Sequence, residues 1–271
     1  MAIGTRHGKQ HQLAPAFADV LGARLITPPD LDTDRFGTFS GERPRTLPAR
    51  DAARAKAHLA MSAADTPYGL ATEATYGPLP GTGWPGHEEI ALFVDDTRNL
   101  EIIEGLRIQS VPGSSRRVRA AADLPDPISQ GWPAQACIVR PSSGDDTAAI
   151  TKGINDIRQL SAAIAIAAAR STDGHAIVEP DLRAHHNPTR QAALIRLARA
   201  LADRLATACP RCATPGYGRI DVERGLACRI CATQTDLPRA EIHGCARCPQ
   251  RHSHPLPTTA ADPRWCPTCN P

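Results

Sequence analysis

The sequence has few aromatic residues and no long apolar run. Phe, Trp and Tyr make up 4% of the 271 residues, so the core must be built mainly from Ala, Leu, Ile and Val. The longest apolar stretch, residues 162–169, falls short of the roughly 18 residues that a membrane-spanning helix requires. The first nine residues lack the apolar core of a secretory signal. We therefore expect a cytoplasmic protein without a membrane partner.

A strong excess of charge of one sign is also missing. Residues 209–271 contain 8 Arg, no Lys and 5 acidic residues, while the first 208 residues contain 23 basic and 23 acidic residues. Neither part has the basic excess of a dedicated nucleic-acid-binding protein. A hydrophobic content of 41% and a charged content of 22% are typical of a folded protein, and the length allows one large or two small domains.

Cysteine, in contrast, is concentrated near the end of the sequence. Eight of the nine cysteines form four Cys-x-x-Cys pairs, separated by 15, 13 and 17 residues. The pairs are Cys209/Cys212, Cys228/Cys231, Cys245/Cys248 and Cys266/Cys269. Two such turns supply the four thiolates of a tetrahedral metal site. Disulfides do not suit a cytoplasmic protein and a redox motif does not require four copies, so we predict two bound metal ions.

Zinc is the favoured metal, although four thiolates do not exclude a rubredoxin-like iron centre. Both sites would have all their ligands from the protein, and such closed sites are structural. Eight thiolates and two Zn²⁺ change the charge of residues 209–271 from +3 to about −1. Nucleic acid is therefore a less favoured partner than protein, and simple capping of the preceding domain is the other alternative.

Four pairs can be grouped into two sites in three ways. Residues 235–243 are predicted to form one strand, which would hold the second and third pairs about 30 Å apart. The last pair follows an Asp-Pro turn, as in a rubredoxin-like ribbon. We therefore favour the sequential grouping. Its two sets are Cys209, Cys212, Cys228 and Cys231 for one ion, and Cys245, Cys248, Cys266 and Cys269 for the other.

Helical and strand patterns alternate through the first 208 residues. The main predicted helices cover residues 10–21, 48–60, 154–169 and 189–206, with short apolar strands between them, one of them at residues 23–27. This order predicts an α/β domain over residues 1–207, with a mixed sheet flanked by helices. A double four-cysteine zinc-ribbon domain is predicted over residues 208–271. Cys137, in a predicted buried strand, is interpreted as a small core residue.

Two polar clusters follow predicted strands in the first half of the chain. His7-Gly8-Lys9 lies between a strand and a helix, where a glycine, a lysine and a helix N-terminus favour an anion, although an ordinary solvated loop is an alternative. Glu73 ends another strand and can hold Mg²⁺ through water, with Asp95 or Asp96 as helpers, or be a surface carboxylate.

The third cluster is the loop at residues 179–190, which leads into a helix capped by Asn187 with Pro188 at its first position. Arg183 and Arg190 can clamp a phosphate or carboxylate there, or belong to a hydrogen-bonded network that fixes the turn. A metal pair formed by His185 and His186 is disfavoured, because adjacent side chains of an extended chain point in opposite directions.

The whole chain resembles an uncharacterised bacterial family, a domain of unknown function. The residues that carry this resemblance are Thr5-x-His7-Gly8-Lys9, the run Asp-Thr-Asp-Arg-Phe-Gly-Thr-Phe-x-Gly-Glu at 32–42, Arg-Ala-His-x-Asn-Pro-Thr-Arg at 183–190, and Cys-x-x-Cys-Asn-Pro at 266–271. The resemblance itself implies no activity.

A fainter likeness links about the first 105 residues to the inosine/xanthosine triphosphate pyrophosphatases. It rests on Thr5 and Lys9 after the first strand, on the Ala/Arg/Lys-rich segment 52–57, and on the strand end at 69–74. The likeness implies a related fold, with Lys9 neutralising phosphate and Glu73 holding a catalytic Mg²⁺.

Two functional hypotheses follow, with a purely structural or accessory role as the third. The first is a Mg²⁺-dependent hydrolase of a phosphate-bearing small molecule, with nucleotides the leading substrates. Its catalytic residues would be Lys9 and Glu73, and its substrate-binding residues His7, Arg35, Arg183 and Arg190. The second is a non-catalytic zinc-ribbon module that binds protein or RNA. The sequence does not indicate an oligomeric state.

Overall fold

A computed structural model describes residues 1–38, 42–79, 83–110, 113–125, 131–144 and 146–271. The chain divides into two compact units. The first unit comprises Met1–Asn99 and Ile103–Ala200, and the second comprises Leu100–Ile102 and Leu201–Pro271. The predicted boundary at residue 207 stays a prediction.

The described residues form four α-helices and eleven strands, which confirms the mixed α/β composition. The helices are α1 (Gln10–Leu21), α2 (Ala49–Ala64), α3 (Ile157–Arg170) and α4 (Pro188–Ala206). The strands are β1 (Ala2–Ile3), β2 (Tyr68–Pro78), β3 (Pro85–Asp95), β4 (Leu100–Gln109), β5 (Arg116–Val118), β6 (Cys137–Pro141), β7 (Thr151–Ile154), β8 (Ala176–Pro180), β9 (Gly218–Arg224), β10 (Pro238–Gly244) and β11 (Arg251–Pro255). Across the described ranges, none of the helices combines the length and the apolarity needed to traverse a lipid bilayer.

The first sheet has the strand order β1-β2-β3-β4 and is mixed, with β1 parallel to β2 and β2 antiparallel to β3. Helix α2 packs on it through small side chains and Met61. The approach is close, since a Cβ at Gly4 would lie 2.3 Å from the carbonyl oxygen of Lys56, and one at Gly69 would lie 2.5 Å from Met61 Sδ. Glycine at these positions lets α2 bring Lys56 next to the ends of β1 and β2.

The second sheet of the first unit has the order β5-β8-β6-β7, with all its neighbouring strands antiparallel. Helix α3 buries Leu160 and Ile164 against it, and Cys137 lies in the same core, as predicted. The expectation of one mixed sheet is therefore wrong: the described residues of this unit form two four-stranded sheets, of which the first alone is mixed. The alternation of helices and strands did not show which strands pair.

The predicted strand at residues 23–27 is also wrong, because that segment makes a single parallel bridge between Ile26 and Ala2. Strand β1 is two residues long, so it has almost no free backbone edge with which residues 23–27 could form a strand ladder. The second unit contains the antiparallel sheet β11-β10-β9. Strand β10 corresponds to the strand predicted at residues 235–243, whereas β9 and β11 were not predicted. Strand β11 has no apolar alternation, and all five of its residues are exposed.

Candidate metal centres and a cationic cleft

The eight paired cysteines come together in two groups of four. In each group all four Sγ atoms lie within 4.8 Å of one another. One group is Cys209, Cys212, Cys245 and Cys248, and the other is Cys228, Cys231, Cys266 and Cys269. The sequential grouping is therefore wrong. The first pair joins the third and the second pair joins the fourth, so the two sites interleave along the chain.

The antiparallel pairing of β9 and β10 explains the interleaving. Strand β9 separates the first pair from the second, and a strand of seven residues is about 23 Å long. Strand β10 returns alongside it, with Gly244 opposite Gly218. The third pair, which follows β10, is thereby brought back to the first pair. The distance argument made for β10 applies equally to β9, and it separates the first pair from the second as well.

The spacing of the sulfur atoms suits a metal and not a disulfide. In the first group the Sγ atom of Cys209 lies 3.7 Å from that of Cys248, and the Sγ atom of Cys212 lies 3.6 Å from that of Cys245. The corresponding distances in the second group are 3.9 and 3.4 Å. Sulfurs that bind one zinc ion at about 2.3 Å lie about 3.8 Å apart, whereas a disulfide is about 2.05 Å long. All nine cysteines are described, and none forms a disulfide.

Each group contains one copy of a Cys-x-x-Cys-Ala-Thr loop, at residues 209–214 and 228–233. In both loops the alanine has a left-handed backbone, with φ of 56° at Ala213 and 59° at Ala232. Its N–H donates to the carbonyl of the first cysteine, at 2.9 and 3.0 Å. Two copies of one loop in equivalent positions indicate one copy per site. This repeat is the sequence feature that could have revealed the grouping.

The threonine of each loop stabilises the thiolate form of the second cysteine. The Oγ1 atom of Thr214 lies 3.2 Å from Cys212 Sγ, and that of Thr233 lies 3.3 Å from Cys231 Sγ. The threonine hydroxyl, together with the threonine backbone, lowers the pKa of both thiols to about 6. Since a thiolate is the metal-binding form of cysteine, the loop prepares this ligand for a cation.

The first unit contains a cleft at the end of β1 and the start of α1, with a volume of about 80 Å³. Five of the six side chains predicted to act in catalysis or substrate binding line it: His7, Lys9, Glu73, Arg183 and Arg190. Arg35 does not belong to the lining. Its side chain is exposed, and its guanidinium lies 4.8 Å from the centre of the Phe36 ring.

Lys9 immediately precedes α1, after a turn in which Gly8 has a φ of +71°. Its Nζ atom donates to the carbonyl oxygen of Thr72 at 3.2 Å and to the Thr72 hydroxyl at 3.0 Å. Burial, with a smaller contribution from the positive charge of Arg190, lowers the pKa of Lys9 to about 8. Among the described residues, no carboxylate lies within 4.0 Å of its ammonium group. Lys9 is thus a half-buried cation held by neutral oxygen atoms.

Glu73 lies within β2, which continues to Pro78, so the prediction that it ends a strand is wrong. Its side chain is 5% exposed and has cationic partners. Its carboxylate pairs with Lys56 of α2, and an Arg45 nitrogen lies 3.7 Å away. The predicted helpers Asp95 and Asp96 lie outside the cleft lining. Asp95 accepts hydrogen bonds from Thr97 and Arg98 instead, and Asp96 is exposed.

The two predicted arginines are held by buried carboxylates. Arg190 is 1% exposed and makes a bidentate ion pair with Glu89 of β3, while its NH1 atom donates to Leu182 O at 2.6 Å. Arg183 pairs with Asp181, which is fully buried, at 2.6 Å. Lys56, Arg45 and Glu89 were not predicted as site residues, because their partners lie far away along the chain. Lys56 alone had a weak indication, as part of the Ala/Arg/Lys-rich helix.

Histidines line one side of the cleft. Nε2 of His7 lies 3.2 Å from Asp34 Oδ1, and the His7 ring stacks on His185 with 4.9 Å between ring centres. Burial, followed by the neighbouring His186, lowers the pKa of His185 to about 4, so this ring is neutral at pH 7. Within the described parts of the chain, the Nδ1 atom of His185 is buried without a hydrogen-bond partner. His185 and His186 belong to neither group of metal-ligand residues found there.

The sequence model of a family described as Domain of unknown function (DUF6671) matches residues 56–271. The chain belongs to the DUF6671 family. No curated protein and no solved structure matches it. The matched DUF6671 region contains Lys56, Glu73, Arg183 and Arg190 as well as all eight paired cysteines, whereas His7 and Lys9 precede it.

Proposed function

We propose that this DUF6671 protein holds two structural Zn²⁺ ions in a C-terminal double zinc ribbon and binds a phosphate-bearing small molecule in its N-terminal cleft. The proposal for zinc rests on the two groups of four closely spaced sulfurs. Four thiolates complete a tetrahedral shell and leave no position open for a reacting water. Two cysteine loops at the ends of antiparallel strands are also the arrangement expected of a ribbon.

The proposal for an anionic ligand rests on Lys9. A partly desolvated ammonium group with no carboxylate within 4.0 Å is costly, and an anion next to it would offset that cost. Helix α1 begins one residue after Lys9, and its N-terminus favours negative charge next to the Lys9 side chain. The described lining residues comprise six Lys and Arg side chains against three acidic ones. A cleft of about 80 Å³ is large enough for one phosphate group, so the rest of a nucleotide would lie outside it.

Hydrolysis is the reaction that we propose for this ligand. The residues of the cleft suit phosphoryl chemistry, which depends mainly on positioning and on neutralising charge. A bound Mg²⁺ would supply Lewis-acid activation and a water of lowered pKa. Glu73 is the carboxylate that would hold the ion through water, and its partner Lys56, which also lines the cleft, would add positive charge beside the phosphate. Lys9 would neutralise the phosphate, and Arg183 would bind the part of the substrate nearest to the rim.

The test is a panel of nucleoside triphosphates and diphosphates with Mg²⁺, with release of phosphate or pyrophosphate as the readout. Wild-type protein is expected to turn over at least one nucleotide, and Lys9→Ala and Glu73→Gln are expected to lose that turnover. Arg35→Ala is the matched control, because Arg35 lies outside the cleft lining, and it should behave as wild type. Equal turnover in Lys9→Ala would contradict the hydrolase, and phosphate binding without turnover would leave a binding site alone.

A second candidate is a non-catalytic module that binds RNA through the second cysteine group. Ile230 and Trp265, which adjoin ligands of that group, are 72% and 51% exposed. The guanidinium of Arg264 lies 5.8 Å from the centre of the Trp265 ring. An exposed aromatic ring next to arginine is a typical stacking surface for unpaired bases. Single-stranded RNA that binds wild type at low salt, and Trp265→Ala more weakly, would favour this function over the hydrolase.

A further inference from the structure

Three histidines and one glutamate lie together on the β10–β11 hairpin. In the strand register His243 is directly opposite His252, and Glu241 is directly opposite His254. Residues two apart on a strand point to the same face, so Glu241 and His243 share one face of β10, and His252 and His254 share the matching face of β11. Four metal-ligating side chains therefore project from one side of the sheet.

The rings lie close together, although their nitrogens do not converge in this arrangement: among the described residues, the groups whose ligand atoms all lie within 4.8 Å of one another are the two cysteine groups. The ring centres of His243 and His254 are 4.3 Å apart, and those of His252 and His254 are 4.6 Å apart. The Nε2 atom of His243 lies 3.3 Å from Glu241 Oε2. Imidazole nitrogens bind zinc at about 2.0–2.1 Å, so the side chains must rotate to direct three nitrogens at one point, and the exposure of His252 and His254 leaves them room to do so. Two further side chains border the cluster: Arg219 lies 3.5 Å from Glu241 Oε1, and the edge of Tyr217 faces His243.

Packing in a core does not explain these histidines. All of β11 is exposed, so His252 and His254 bury little apolar surface. Neutral imidazole is the ligand that binds Zn²⁺, Ni²⁺ and Cu²⁺ in proteins.

We propose that His243, His252 and His254 form a third metal site, which takes a borderline first-row transition-metal ion. Glu241 serves as the fourth ligand or orients the ring of His243. The site contains no thiolate and lies at the surface, so its ion exchanges with solvent far faster than an ion held by four cysteines. The proposal is independent of the cleft and of its ligand.

Titration of the full-length, untagged, zinc-loaded protein with Ni²⁺ tests this site, with calorimetry and metal analysis as readouts. Wild type is expected to bind one Ni²⁺ per chain in addition to its two zinc ions. His254→Gln should lower the affinity for Ni²⁺ at least about tenfold. The double variant H252Q/H254Q should not bind the additional ion. His11→Gln, which removes an exposed histidine of α1, is the control and should bind Ni²⁺ as wild type does.

Zinc content and the absorption spectrum check where the nickel goes. Each variant should retain two zinc ions, which shows that the cysteine groups are intact. Nickel bound by imidazoles lacks the intense sulfur-to-nickel charge-transfer bands of nickel thiolates. The proposal is overturned if wild type takes up no additional ion, if H252Q/H254Q binds nickel as tightly as wild type, or if uptake releases zinc and produces thiolate bands.

Discussion

The sulfur atom of Cys209 lies 3.7 Å from that of Cys248, although 39 positions separate the two residues in the chain. The second cysteine pair, Cys228 and Cys231, lies between them in sequence but belongs to the other group. Each group therefore depends on the pairing of β9 with β10. The pairing of these strands determines which cysteines meet, and the cysteine groups in turn hold the strands in this pairing.

Paired substitutions distinguish interleaved sites from sequential ones. In cobalt-loaded protein, C209H/C248H should give one site with two imidazoles and two thiolates and one unchanged four-thiolate site. C209H/C228H should give two sites that each have three thiolates. The sulfur-to-cobalt absorption bands report the number of thiolates at each ion, and sequential sites would give the opposite assignment. Histidine is used because it keeps a ligand at each position, so that the unit still folds.

Removal of zinc should unfold the second unit. Structural zinc contributes about 10–16 kcal/mol to the folding of zinc-finger peptides, and this unit has a small apolar core. We expect a strong chelator to abolish the hydrogen-exchange protection of β9 and β10. Protection of α3, whose core residues belong to the first unit, should remain and is the internal control. Unchanged protection of β10 after complete loss of metal would argue against a structural role.

Lys9 should make phosphate binding dependent on pH. Its pKa is about 8 in the folded protein, below the usual 10.5, so the charged form that attracts an anion is lost as pH rises through 8. The affinity for sulfate, a phosphate analogue whose charge stays constant in this range, should fall about tenfold between pH 7 and pH 9. Lys9→Arg should bind equally at both values, because arginine stays charged, and Arg35→Ala should follow wild type. A pH-independent affinity in the wild type would contradict the assignment.

The same lowered pKa affects stability in the opposite direction. Between pH 8 and pH 10.5 the unfolded chain binds more protons at Lys9 than the folded chain does, so this residue makes the free energy of unfolding increase with pH in that window. Comparison of urea unfolding of wild type and Lys9→Met over this range measures the contribution. If the difference in the free energy of unfolding between the two proteins does not change with pH, Lys9 does not make this contribution.

The buried pair of Arg190 and Glu89 should be essential to the first unit. Removal of one partner leaves a buried charge uncompensated, which costs about 3–5 kcal/mol. We expect Glu89→Gln and Arg190→Met to lower the free energy of unfolding by this amount, as measured by urea denaturation. Replacement of both partners should cost less than the sum of the two single changes. Asp19→Asn, which breaks an exposed pair with Arg199, should change stability by less than about 1 kcal/mol.

The sequence allowed the features that depend on local patterns to be predicted. The Asn187 cap is one: its Oδ1 accepts from the Arg190 N–H at 3.1 Å, and α4 begins at Pro188. The identity of the eight clustered cysteines is another. The partner of each cysteine pair, and the pairing of Lys56 with Glu73, depend on which strands and helices lie side by side. Such long-range contacts leave no periodic trace in a single sequence.

The cleft likewise shows which part of a site a single sequence can predict. Five predicted side chains line it, four of them near a strand end or a helix start where polar groups gather, whereas Glu73 lies within β2. Their charges could not be assessed in advance, since the neutralising partners Asp181 and Glu89 are visible only in the fold. Lys9 differs from the arginines for this reason, and its sequence context is no more distinctive than theirs.

The alternation of cysteine pairs between the two groups also constrains how the module is assembled. A polypeptide emerging from the ribosome contains no complete set of four ligands until Cys248 has been synthesised, and the second set waits for Cys269. Fragments that end between Cys231 and Cys245 carry four of the paired cysteines but only half of each centre. The second unit of such truncated chains should remain unfolded and vulnerable to proteases even when zinc is present.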